Sequence, residues 1–124
     1  MHAAHLEAYR AVQKSQNSGR ELEATVLTKA ALKLRECQNS WDAPDRAARL
    51  ADALDFNQKV WTVFQSELVR SDNPLPAELR QNILTLSAFI DKRIFEVMTD
   101  PKPEALSAII SINLGIAAGL RGNR

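Results

Sequence analysis

Apolar residues recur at intervals of three and four positions along most of the chain, a spacing typical of helices that bury one face. The clearest stripe follows residue 76 and consists of Leu79, Ile83, Leu86, Ile90, Ile94 and Val97. Nowhere does the sequence keep up the strict alternation of apolar and polar residues that is expected of a strand. The pattern therefore predicts an all-α fold.

Four polar or proline-containing breaks divide the chain into predicted helices. They lie at residues 15–19, 39–46, 71–76 and 100–104. Proline disfavours a helix at the last three, because it lacks an amide donor and pushes the preceding residue out of the helical region. At the first, Ser18 and Glu21 have the spacing of a capping box that starts a helix. We predict one domain, residues 1–124, folded as a bundle of four to five helices in which a first short helix, residues 3–14, docks more loosely.

The third predicted helix, from about Asp42 to Arg70, is apolar around more than half of its circumference. One stripe consists of Ala47, Leu50, Ala51, Leu54, Trp61, Phe64 and Leu68. A second strip consists of Phe56, Val60 and Val63. Such a helix is either the central member of a bundle or half of an interface, and the sequence leaves both interpretations open.

Two asparagines, Asn57 and Asn113, fall on apolar stripes where core residues are expected. A buried amide without partners costs about 1 to 3 kcal/mol, so a buried asparagine needs hydrogen bonds. We predict that both are at least half buried and tie helices together. The alternative is an exposed groove in which they meet the backbone of a partner.

The predicted core takes the larger apolar residues of the stripes. They are Leu54, Trp61, Phe64, Ile83, Leu86, Ile90, Ile109 and Ile116. The second helix is expected to add Leu22, Val26, Leu27, Ala30, Ala31 and Leu34. Cys37 has no histidine near it in sequence to activate it, so we interpret it as a buried or half-buried structural thiol.

Composition narrows the possible functions. The 124 residues are 45% hydrophobic and 25% charged, with a net charge of +1, which suits one globular domain. Lysine and arginine are dispersed, so direct nucleic-acid binding is not expected. The one cysteine cannot form an intramolecular disulfide, and neither a secretion leader nor a run of about 18 apolar residues is recognisable. We therefore expect a cytoplasmic protein without a membrane span.

Catalytic and cofactor-binding motifs are absent from the sequence. It has no glycine-rich phosphate loop, no cysteine and histidine spacing for zinc, and no nucleophile elbow. His2 and His5 lie near Glu7, but terminal histidines without cysteine partners make a weak metal site. We expect neither an enzyme nor a metal or other cofactor, and interpret the chain as a protein that interacts with other proteins.

Several short motifs occur in order along nearly the whole chain. They are Met1-His-Ala-Ala, Arg20-Glu-Leu-Glu-Ala, Asn57 with Trp61-Thr and Phe64, Asp72-Asn-Pro-Leu-Pro76, Leu79-Arg-Gln-Asn-Ile83, Asp100-Pro-Lys-Pro-Glu104, and Ile112-Asn113 followed by Ile116-Ala-Ala-Gly-Leu-Arg-Gly122. In these motifs the chain resembles the FlaF family of flagellar biosynthesis regulators of alphaproteobacteria. The resemblance implies a non-enzymatic cytoplasmic protein that is needed for flagellin production, works with or against the regulator FlbT, and binds flagellin as a chaperone before export.

We predict that the partner binds an apolar surface made by the third helix and the proline hairpin, as a helix in a groove. The candidate residues are Phe56, Asn57, Val60, Trp61, Val63, Phe64, Leu75 and Asn113. The alternative function is direct control of the translation of flagellin messenger RNA. The dispersed positive charge disfavours it, because non-specific RNA affinity comes chiefly from clustered cations.

Overall fold

The computed structural model describes the backbone of residues 2–122 and the side chains of residues 19–122. Its helices are α1, His2–Asn39; α2, Arg46–Leu68; α3, Ala77–Thr99; and α4, Ser107–Leu120, which directly follows a 3-10 turn at Pro103–Leu106. The prediction of a single all-α bundle of four to five helices is confirmed.

Helix α1 organises the bundle. It packs on both α4 and α2, while α3 packs mainly on α2. The Gln38 side chain on α1 donates to the Pro103 carbonyl at 2.8 Å and to the Ser107 hydroxyl at 2.9 Å, which fixes the start of α4. Helices α2 and α3 are antiparallel, because the side chain of Gln65, late in α2, reaches Ser87 in the middle of α3, whereas the early part of α2 lies beside the end of α3.

The core lies where the four helices meet. Of the eight predicted core residues, Leu54, Trp61, Ile83, Ile90 and Ile109 are buried, whereas Phe64, Leu86 and Ile116 are partly buried. Small residues occupy several of the buried positions, namely Ala24, Ala30, Ala31, Ala53, Ser87 and Ala117. Spacing therefore identified much of the core, although some of the most buried positions belong to smaller residues than expected.

The predicted break at residues 15–19 is wrong, because α1 continues through it. A glycine inside a helix costs only about 1 kcal/mol relative to alanine, whereas a proline costs about 3 kcal/mol. Nothing in this stretch therefore forces the helix to end. The three breaks that contain proline are confirmed, although α2 begins only at Arg46 and not near Asp42. The expected loose docking of residues 3–14 concerns side chains outside the described residues.

Four residues that the stripes assigned to buried faces are exposed, namely Leu22, Ala47, Ala51 and Leu79. Leu22 is 65% exposed, whereas Ala24, two residues later, is fully buried. Two residues correspond to roughly 200° around a helix of 3.6 residues per turn, so these side chains point to opposite sides. Leu79 lies in the first turn of α3 and is 44% exposed. The neighbouring helices therefore do not fully cover the start of α3, although the apolar stripe already includes it.

One segment passes a coarse test for a membrane-spanning helix, although it is not an unbroken run of apolar residues. Residues Pro103–Leu120 pass that test by length and composition, with a mean hydropathy of 1.4, and are the one such segment among residues 2–122. In the bundle, however, this segment supplies core residues to the contact with α1. The buried ones are Leu106, Ile109, Ile110, Asn113 and Ala117.

Cys37 lies in the core and is 3% exposed, as predicted for a structural thiol. Burial raises the pKa of this thiol above its ordinary value, and the thiolate is the reactive form. We expect Ellman's reagent to label the native protein far more slowly at pH 8 than the same protein unfolded in urea. Equal labelling rates in the two states would contradict the burial of Cys37.

Candidate functional site

Three of the predicted partner-binding residues form a hydrogen-bond network inside the bundle. Asn57, Trp61 and Asn113 are all 0% exposed. The Asn113 amide nitrogen donates to the Asn57 side-chain oxygen at 2.7 Å, and the Trp61 indole nitrogen donates to the Asn113 side-chain oxygen at 2.9 Å. The Asn57 amide nitrogen donates to the carbonyls of Ala30 at 3.1 Å and Ala53 at 2.8 Å. The network thus connects α1, α2 and α4.

Every polar side-chain atom of these three residues has a hydrogen-bond partner within the protein. The prediction that both asparagines are buried and tie helices together is confirmed, and the alternative of an exposed groove lined by the two amides is wrong. Asn57, Trp61 and Asn113 therefore give the bundle its internal geometry and offer no surface to a partner in this structure.

Phe56 and Val60 are also poorly placed to meet a partner. Val60 is only 9% exposed and belongs to the core. The Phe56 ring is partly buried, and the ammonium groups of Lys29 and Lys33 on α1 lie 5.4 and 5.3 Å from its centroid. These distances suit cation–π contacts, which cover the ring with charged side chains. The second apolar strip of α2 is thus divided, and of its three residues only Val63 is widely exposed.

The remaining three predicted residues, Val63, Phe64 and Leu75, meet in one groove at an end of the bundle. We call it the end groove; it has a volume of about 150 Å³. Its other apolar lining residues are Leu68, Pro74 and Leu120, and its polar ones are Arg20, Glu23, Glu67 and Asn73. Val63 is 63% exposed at this site. Phe64 is partly buried, and its ring centroid lies 5.9 Å from that of Trp61. One side chain of the groove thus packs directly against a core residue.

The link between α2 and α3 positions Leu75 on this groove. The Asn73 side chain donates to the carbonyl of Glu67 at 3.0 Å and accepts from the amide of Leu75 at 3.0 Å. Asparagine commonly stabilises turns through such local hydrogen bonds, and Pro74 and Pro76 restrict the backbone on either side. Leu75 is therefore held partly buried against the bundle.

Sequence reasoning missed the charged residues of the end groove. Arg20 and Glu23 come from α1, and Glu67 comes from α2. Partial burial raises the pKa of the Glu23 carboxyl, and the nearby charge of Glu67 raises it further, while Arg20 acts in the opposite direction. No local sequence signal distinguishes these residues from other charged residues on helix surfaces, since only the tertiary fold brings them together.

A second groove, the side groove, lies between the early part of α2 and the end of α3 and has a volume of about 360 Å³. Its apolar lining consists of Ala47, Leu50, Ala51, Leu54, Val97, Met98 and Pro101. The exposed alanines leave space above the buried leucines, which explains the groove. It is larger than the end groove, but none of the predicted partner-binding residues lines it.

Metal binding has no support in the described part of the chain, where no group of three histidine, cysteine, aspartate or glutamate residues is placed to hold an ion. The side chains of His2, His5 and Glu7, which the sequence suggested only weakly, lie outside the described residues. The end groove and the side groove are the sites on the described surface that are lined largely by apolar residues.

Comparison with known proteins identifies the family. The family model described as "Flagellar protein FlaF" matches residues 5–120, which is nearly the whole chain. No curated protein and no solved structure gave a significant match. The match includes α2, α3, α4 and all but the first residues of α1, together with the asparagine network and the residues of the end groove. The chain therefore belongs to the FlaF family of flagellar proteins.

Proposed function

We propose that the protein binds flagellin in the cytoplasm as a secretion chaperone and promotes flagellin synthesis or export in concert with FlbT. The observation that carries this proposal is the convergence of Val63, Phe64 and Leu75, from two separate segments, on one apolar groove. Flagellin subunits that await export would otherwise expose apolar helical faces in the cytoplasm. Covering such faces is a physical task that needs no active site.

The proposed mode of binding is a flagellin helix that lays its apolar stripe into the end groove. Phe64 contacts the buried ring of Trp61, and Leu75 is fixed by the Asn73 turn. Both side chains are thus largely positioned before binding, which lowers the entropic cost of forming the complex. Val63 is open to solvent and is therefore the best position at which to test contact with the partner.

Replacing Val63 by glutamine is expected to weaken flagellin binding by about tenfold or more, because the complex would then bury a polar amide against the apolar stripe of the partner without a hydrogen-bond partner. Stability should hardly change, because the side chain is exposed and glutamine has a higher helix propensity than valine. Titration calorimetry with purified monomeric flagellin measures the affinity, and thermal unfolding measures the stability.

The matched control is Val69→Gln, which makes the same change at a valine that is 69% exposed but does not line the end groove. We expect its affinity to equal that of the unaltered protein. A further variant, Met98→Gln, probes the side groove. If Met98→Gln weakens binding and Val63→Gln does not, the partner uses the side groove. If flagellin fails to bind the unaltered protein at micromolar concentration, the chaperone proposal is wrong.

Direct action on flagellin messenger RNA has less support. Several cations of the described surface are paired with carboxylates, as in Lys33 with Asp52 at 3.0 Å, Lys59 with Asp55 at 2.8 Å and Arg70 with Asp72 at 3.0 Å. RNA binding depends on cations that are free to replace counterions along the phosphate backbone. Tight, salt-sensitive binding of the flagellin leader RNA by the purified protein in a gel-shift experiment would reverse this preference.

A further inference from the structure

Two acidic side chains face the same apolar groove. Glu23 of α1 and Glu67 of α2 both line the end groove, beside Val63 and Phe64. Within residues 19–122, neither carboxylate forms an ion pair. Desolvation and the negative charge of Glu67 both raise the pKa of the Glu23 carboxyl. The free protein therefore holds two like charges together at the edge of an apolar surface.

Neighbouring cations do not fully compensate this negative charge. Arg20 also lines the groove, but its effect on Glu23 is smaller than those of burial and of Glu67. Arg121, which follows α4, is engaged by Glu21 at 3.2 Å and by the Thr28 hydroxyl at 3.1 Å. Arg70, beside the α2–α3 link, is engaged by Asp72. Among the side chains of residues 19–122, the groove thus has one arginine against two carboxylates.

We propose that the end groove selects a partner helix that carries a lysine or arginine beside its apolar stripe, with this cation seated between Glu23 and Glu67. This inference rests on the proposed function and specifies the chemistry of the helix that binds. A cation at this position is attracted to both carboxylates and offsets the repulsion between them. A helix with an acidic residue at the same position meets like charge and is rejected.

The first experiment neutralises the pair in the double variant Glu23→Gln/Glu67→Gln. Its control is Glu36→Gln/Glu104→Gln, which changes the net charge equally at two exposed glutamates outside the end groove. We expect the dissociation constant for monomeric flagellin, measured by calorimetry in 50 mM salt, to rise about fivefold or more in the first variant only. The difference should shrink in 1 M salt, where the Debye length is about 3 Å.

Thermal unfolding separates a binding role from a structural one. Removing two like charges should leave the midpoint of thermal unfolding unchanged or raise it. We therefore expect Glu23→Gln/Glu67→Gln to bind flagellin more weakly while being at least as stable as the unaltered protein. Flagellin binding that is unchanged or tighter in Glu23→Gln/Glu67→Gln at low salt would overturn the inference.

A second probe does not depend on flagellin. Two synthetic amphipathic helical peptides with the same leucine stripe carry either lysine or glutamate beside that stripe. The unaltered protein should bind the lysine peptide about fivefold or more tightly, and this preference should disappear in Glu23→Gln/Glu67→Gln. The net charge of +1 would by itself favour the glutamate peptide, so a lysine preference reports the groove and not the whole protein.

The two probes distinguish failure of this inference from failure of the proposed function. If flagellin does not bind but the lysine preference is present and depends on the two carboxylates, the chaperone proposal fails and the charge selectivity stands. If flagellin binds but neither probe responds to neutralisation, the selectivity is wrong and the chaperone proposal stands. Equal binding of the two peptides by the unaltered protein also contradicts the selectivity.

Discussion

Replacing Trp61 by alanine is expected to lower the free energy of unfolding by about 3 to 5 kcal/mol, the usual cost of removing a large buried aromatic side chain. Trp61 is fully buried, contacts Phe64 and donates to Asn113. A domain of this size is stable by only about 5 to 15 kcal/mol, so the variant should lose a large part of its stability. Urea unfolding followed by circular dichroism measures the change.

Phenylalanine at the same position provides the control. Trp61→Phe keeps an aromatic ring but removes the indole donor, which leaves the Asn113 side-chain oxygen without its partner. We expect a smaller loss than for Trp61→Ala, because less apolar volume is removed. If the free energy of unfolding of Trp61→Ala lay within about 1 kcal/mol of that of the unaltered protein, the central position of this residue would be contradicted.

Replacing Asn113 by alanine is expected to cost about 2 to 6 kcal/mol, because two buried groups lose their partners at about 1 to 3 kcal/mol each. These groups are the side-chain oxygen of Asn57 and the indole nitrogen of Trp61. The matched control is Asn82→Ala, an exposed asparagine on α3, where the change should stay within about 0.5 kcal/mol.

A double-mutant cycle isolates the bond between the two asparagines. In an Asn57→Ala background, replacing Asn113 should lower the free energy of unfolding by less than it does in the unaltered protein. The reason is that the side-chain oxygen that accepts from Asn113 is no longer present. Urea unfolding of both single variants and the double variant measures this coupling. Strictly additive losses would show that the 2.7 Å bond contributes little to the fold.

The sequence predicted the helical class and much of the core because periodicity reports which side of a helix is buried. The two asparagines could also be predicted as buried, since an amide on an apolar stripe needs hydrogen bonds inside the protein. Their partners could not be predicted. Whether Asn57 meets Asn113 or some other group depends on the axial positions of α2 and α4, which no local pattern encodes.

Helix continuity was harder to predict than helix type. The stretch 15–19 has the composition of a break, yet the energetic cost of its residues in a helix is small enough for α1 to continue. Burial near helix ends was also misjudged, as Leu79 shows. A stripe indicates which side of a helix is buried, but it does not indicate where the neighbouring helices end.

The charged lining of the end groove was missed for a related reason. Glu23 and Glu67 are 44 positions apart in the sequence, and only the packing of the helices brings them to one site.

The most direct test of the proposed mode of binding is to map the flagellin contact on the protein itself. Amide resonances of isotopically labelled protein would be followed by NMR while unlabelled monomeric flagellin is added. We predict that the perturbed resonances cluster around Val63, Phe64, Leu75 and Leu120, with much smaller effects at Ala51 and Met98. Perturbations confined to the side groove, or none at saturating flagellin, would contradict binding at the end groove.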